Sequence, residues 1–127
     1  MTVARRPVLA GLALAMLGGR AMAKGSKMED PIPFGMIGKI KAQPGKRAEL
    51  IAILNSGTST MPGCRAYLIA EDVKDSDAIW ITEIWDDASS HKASLQLPAV
   101  RDAIAKGRPL IAGFEISAET RPVARPA

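Results

Sequence analysis

The stretch Ala78 to Trp85 (A-I-W-I-T-E-I-W) constrains the fold more than any other part of the chain. Its β-branched and aromatic residues suit a strand. At a period of two, Ile79, Ile81, Glu83 and Trp85 fall on one side, and Trp80 and Ile84 on the other. Both sides are apolar, and a strand dressed on both faces must be covered on both. Helices of the same chain can cover one face. In a chain of 127 residues the natural cover for the other is a second copy, so a homodimer is expected.

The residues after this strand have a helical pattern. Asp86 or Asp87 is a good N-cap for a helix from Ala88 to about Gln96, which carries His91, the single histidine of the chain. Pro98 opens a further helix with Val100, Ala103 and Ile104 on its inner face, and Gly107 is expected at its C′ position. Upstream, residues 34–42 alternate as a strand. Pro44-Gly45 stops that strand, and residues 46 to about 58 carry Leu50, Ile53 and Leu54 at helical spacing. Pro62-Gly63 is a turn, residues 64–72 form a second strand and residues 110–120 a last one. In that last strand Phe114 and Ile116 are expected on one face. The order strand, helix, strand, strand, broken helix, strand is that of an α+β, ferredoxin-like split β-α-β fold, an antiparallel sheet with helices on one face.

The ends read differently. In residues 1–23, Arg5-Arg6 precedes an apolar run from Pro7 to Gly19, and Ala21-Met22-Ala23 is an A-x-A cleavage pattern. This is an export signal, too short for a comfortable membrane span, with an arginine pair that partly matches a twin-arginine leader. Export to a bacterial periplasm by that route or by Sec, with no stable membrane insertion after cleavage, is the expectation. Residues 24–33 then form a flexible tail, residues 34–120 the domain and residues 121–127 a loose end. The formal charge of +4 owes much to the leader. Three of the 17 basic residues and none of the 13 acidic ones lie in it, which leaves 14 against 13, a net of +1. No basic patch interleaved with aromatics remains to recruit nucleic acid.

Candidate chemistry centres on His91. A neutral imidazole near a helix N-terminus is a useful general base for a phenol or quinol; the plain alternative is a helix cap or a hydrogen bond to the sheet edge. Trp80, Trp85, Tyr67, Met36 and Phe114 are candidate pocket lining, or simply core. Alternation sends the two tryptophans to opposite faces, one to the pocket and one to the partner. Glu83 is either ion-paired with Arg101 or Arg108 or a second acid/base group. Cys64, the single cysteine, is a small, partly buried core residue. With one histidine and one cysteine there is no clustered metal-ligand set, and no glycine-rich phosphate motif succeeds a strand.

The segments P-G-K-R-A-E-L (Pro44 to Leu50), M-P-G-C-R-A-Y (Met61 to Tyr67), W-I-T-E-I-W (Trp80 to Trp85) and H-K-A-S-L-Q-L-P-A-V (His91 to Val100) resemble the antibiotic biosynthesis monooxygenase family in that order. The resemblance implies a dimeric α+β barrel with a pocket between sheet and helices in each subunit. It further implies oxidation of a small quinol-like or phenolic aromatic by molecular oxygen without flavin, haem or metal. On that reading His91 is the catalytic base, and Trp80, Trp85, Tyr67, Met36 and Phe114 bind substrate. Two alternatives accompany it. One is a non-catalytic dimeric module that binds an aromatic or haem. The other is haem degradation, which in related proteins uses an asparagine of the first strand; this chain has none there, its only asparagine being Asn55.

Overall fold

The computed structural model describes residues 32–124. The expected export signal (1–23), nearly all of the 24–33 tail and the last three residues lie outside the described residues. The elements are β1 (Phe34–Ala42), α1 (Arg47–Gly57), β2 (Cys64–Glu71), β3 (Ala78–Trp85), α2 (Ala88–Ser94), α3 (Pro98–Gly107), a 3₁₀ turn (Arg108–Leu110) and β4 (Ile111–Thr120). Gly45 and Gly63 supply the positive φ angles, 77° and 82°, of the two Pro-Gly turns. The hairpin loop between β2 and β3 is pinned by Arg47 of α1, which donates to the carbonyls of Asp72, Asp75 and Ala78 at 3.2, 3.1 and 3.4 Å.

The strands form one antiparallel sheet in the order β2-β3-β1-β4. The fold is thus mixed α+β, with a four-stranded antiparallel sheet and three α-helices. The expected α+β barrel is not formed. Closure would require β2 to pair with β4, and these are the two outer strands of an open sheet. Helices pack on one face of this open sheet. Leu50 of α1 is wholly buried against Ile40, Ala42, Ile79 and Ile81, and Val100 of α3 packs with Met61 and Trp85.

The helices therefore cover the side of β3 that carries Ile79, Ile81, Glu83 and Trp85. α1 and α3 approach closely: a Cβ on Gly57 would collide with the Cβ of Ala103. Gly107 plays a similar part, because a Cβ there would stand 3.2 Å from Leu50 Cδ1. This corrects the C′ assignment. Gly107 is the last residue of α3, its φ of −76° is helical, and the chain runs on into the 3₁₀ turn. Close packing against Leu50, not a left-handed cap, is what glycine meets at this position.

A second correction concerns β4. Register shifts against β1 put Phe114 opposite Ile40 but Ile116 opposite Lys39. The extra residue of a bulge reverses the alternation. Phe114 thus lies on the helix-covered face and Ile116 on the other. That other, helix-free face presents Ile37, Leu68, Ile84 and Ile116, with Leu68 61% exposed.

Candidate active site

Between the helix-covered face of the sheet, α1, α3 and the start of β4 lies a cavity of about 630 Å³. Its walls are mostly aliphatic, with Ile40 and Ile81 from the sheet and Leu50, Leu54 and Ile104 from the helices. Only three lining residues carry a polar side chain: Tyr67, Glu83 and Arg108. Phe114 borders the cavity from β4 and is 70% exposed. Tyr67 and Glu83 are register partners across β2 and β3, so they present their polar ends side by side.

Glu83 is the hub of the site. Alternation places Trp85 on the same face two residues on, and its Nε1 donates to Glu83 Oε1 at 2.9 Å. His91 Nε2 stands 3.9 Å from the same oxygen, within reach of a small side-chain rotation. The imidazole is fixed from several sides. Asp87, the N-cap of α2, accepts from the Ser90 backbone N–H at 2.8 Å, which sets the start of the helix. Gly63 closes against Ser90 so tightly that a Cβ would fall 2.5 Å from its Oγ. The Trp85 ring meets the His91 ring edge-on at 5.4 Å, and Phe34 lies 5.3 Å away at a tilt of 35°. Phe34 sits directly opposite Trp85 in the β1–β3 register.

The electrostatics favour neutral neighbours around one carboxylate. Burial, reinforced by the charge of Glu83, pushes the Tyr67 phenol well above its ordinary value. Burial and then Glu83 also push the Cys64 thiol up. At neutral pH Tyr67 is therefore a hydrogen-bond donor, and Cys64 is a thiol whose Sγ donates to the Ala66 carbonyl at 3.5 Å. Neither is an anion competing with Glu83.

The structure brings His91, Trp85 and Tyr67 together around Glu83. Trp85 itself is 1% exposed and forms the floor beneath His91 and not a wall of the cavity. Met36 pairs with Glu83 across β1 and β3 and is half-buried outside the cavity wall. Trp80 is elsewhere, on the helix-free face, where its Nε1 donates to Asp72 Oδ2 at 2.8 Å and the Lys39 ammonium lies 5.6 Å from its ring. The ion pair expected between Glu83 and Arg101 or Arg108 is replaced by the contacts to Trp85 and His91. Sequence reasoning singles out His91, yet it is Glu83 that meets the cavity. The signal is present in the chain: a carboxylate alternating in phase with Trp85 on the apolar face of the most hydrophobic strand. Among the described residues, no group of three or more His, Cys, Asp or Glu side chains is arranged to hold a metal ion.

An open antiparallel sheet, helices on one face and a cavity with one carboxylate in an aliphatic wall define a small α+β domain. Residues 33–106 match the family described as Antibiotic biosynthesis monooxygenase, and the chain belongs to that family. A solved structure from Chloroflexus aurantiacus, named for the same family, is 59% identical, covers 75% of this chain and 97% of its own, and superposes with a TM-score of 0.73. PA3566 from Pseudomonas aeruginosa shares the fold at 19% identity, with a TM-score of 0.66 over 76% of this chain and 99% of its own. An uncharacterized protein of Synechocystis is 26% identical over 83 residues, 63% of this chain; the match spans 56% of that relative's length.

Proposed function

We propose that the chain is a monooxygenase that oxidises a small phenolic or quinol-like aromatic with molecular oxygen and needs no flavin, haem or metal. The observation that carries this reading is the Glu83 carboxylate, open to an aliphatic cavity and backed by His91 Nε2 at 3.9 Å. Apolar walls take an aromatic ring, and the carboxylate receives its hydroxyl. The proton passes to Glu83 and on to His91 Nε2. The imidazolium so formed offsets one of the two negative charges, carboxylate and phenolate, so the site's net charge is unchanged by the transfer. Tyr67, held as a neutral phenol, donates a hydrogen bond to the phenolate oxygen.

The electron-rich phenolate then gives one electron to oxygen, and the radical pair recombines with formation of a ring C–O bond. In the peroxide so formed the O–O bond breaks, the ring carbon loses its hydrogen, and one oxygen leaves as water with the returned proton. One oxygen atom stays on the ring as a quinone carbonyl. The substrate supplies all the electrons, so no outside reductant is consumed.

The test is oxygen uptake by the isolated domain with a panel of hydroquinones and phenols. Uptake should exceed the buffer rate, and His91→Ala or Glu83→Gln should each lower it by about 10²-fold or more, as loss of a general base does. No uptake above background, or wild-type rates in both variants, rejects the proposal.

A second copy of the chain is proposed as the cover of the helix-free face. Its support is the row of Ile37, Leu68 and Ile116, all exposed, on a sheet that the chain's own helices cover only from behind. Export to a periplasm remains part of the same proposal and rests on the arginine pair, apolar run and A-x-A pattern of residues 1–23.

A further inference from the structure

The wall of the cavity includes a second charged residue, exposed at its rim, that the proposed chemistry does not use. Arg108 lines the cavity together with Glu83, yet forms no ion pair and no side-chain hydrogen bond with any described residue. Its neighbours on the cavity wall, Gly107, Ile111 and Ala112, offer no carboxylate. Arg108 is set by the 3₁₀ turn, which is anchored where Gln43 N donates to Leu110 O at 2.7 Å and Ile111 pairs with Ala42. Glu83 pairs with Met36, near the other end of β1. Six residues of strand separate Met36 from Ala42, roughly 20 Å at 3.3 Å per residue. Glu83 and Arg108 thus enter the cavity wall from elements anchored toward opposite ends of β1. A proton acceptor and the Tyr67 donor stand toward one end, an unpaired guanidinium toward the other, and aliphatic walls lie between.

We propose that the cavity takes a hydroxylated aromatic ring bearing an acidic side arm, with the ring hydroxyl at Glu83 and Tyr67 and the carboxylate of the arm on Arg108. The inference rests on the cavity reading above and narrows its substrate class. A planar guanidinium recognises a carboxylate through two parallel charge-assisted hydrogen bonds, and it does so best where one side of the pair is shielded from water. An uncharged phenol of the same shape leaves Arg108 without a partner. A second anion at the Glu83 end would be repelled. The two charges thus impose one orientation and place the hydroxyl, not the acid, at the base. A cavity of this volume has ample room for a ring and its side arm.

The probe is 3-(4-hydroxyphenyl)propionate, compared with its methyl ester and with 4-propylphenol, in calorimetric titrations of the protein. The acid should bind at least tenfold more tightly than either neutral analogue, and its affinity alone should fall as salt is raised. Arg108→Gln should abolish that difference while leaving the ester's affinity unchanged, and Arg108→Lys should retain part of it. Arg108 is exposed and unpaired among the described residues, so both variants should keep the wild-type thermal melt. Equal affinity for acid and ester, loss of both ligands in Arg108→Gln, or no binding by any of the three overturns the proposal. Arg108-dependent binding of the acid without oxygen uptake leaves this inference standing and removes the oxygenase reading.

Discussion

Tyr67 and Asp72 carry opposite pH signatures, and each arises from what its side chain touches. The Tyr67 phenol is raised by burial and by Glu83, so the folded state prefers the protonated form. That contribution to stability is whole below the unfolded value of about 10 and is lost as pH rises from there through the higher folded value. Tyr67→Phe should flatten the alkaline loss of stability above about pH 10, measured as urea midpoints. Cys64, also raised, acts with the same sign from a lower starting point, so Cys64→Ala is the control. Asp72 is held below the usual carboxylate range first by the Trp80 indole N–H, then by the backbone N–H groups of Asp75 and Lys74. Its contribution is present above an unfolded value of about 4 and fades as pH falls below it. Asp72→Asn should therefore make thermal stability less dependent on pH below about 4. That alternation divides Trp80 from Trp85 was readable in the chain. That Trp80 spends its N–H on Asp72, across a hairpin, was not, because the pairing depends on loop geometry and not on spacing.

At the scale of elements, α2 is short and relies on its cap. Asp87 accepts a hydrogen bond from Ser90 N in its first turn. Asp87→Ala should cost about 1 kcal/mol in chemical denaturation. Because α2 carries His91, the same variant should also slow oxygen uptake although Asp87 touches no part of the cavity. The α1–α3 contact makes a second case. Gly57→Leu forces a side chain into the space held by Ala103 and should destabilise by about 1–3 kcal/mol, read from the same denaturation curves. The Pro-Gly turns, the aspartate cap and the break at Pro98 were legible because each is a local matter of φ, side-chain reach or a missing N–H. The bulge in β4 was not, since an extra residue in one strand exists only relative to the register of its neighbour.

At the scale of the whole molecule, the sheet has one face filled and one face bare. The filled face encloses the cavity, and the bare face is the one assigned to a second copy. Light scattering should give twice the monomer mass for the wild-type domain, and Leu68→Asp should give the monomer mass with its far-UV spectrum retained. A monodisperse wild-type monomer would reject the dimer. The prediction belongs to Leu68 because it is the most exposed of the apolar side chains on that face and lies on an outer strand.

By itself the amino-acid sequence determined which residues form strands and helices, that Trp80 and Trp85 face opposite ways, and that the strand from Ala78 to Trp85 is apolar on both sides. These properties depend on alternation, helical spacing and turn chemistry, which act over a few neighbouring residues. Tertiary structure alone decided which side the helices take, that four strands remain an open sheet, and that Glu83 meets Trp85, His91 and the cavity together. Those outcomes depend on strand register and on helices docking across residues far apart in the chain. The stretch from Ala78 to Trp85 states both limits: its pattern announces two buried faces, and only the packing of Leu50 and Val100 shows which of them holds the site.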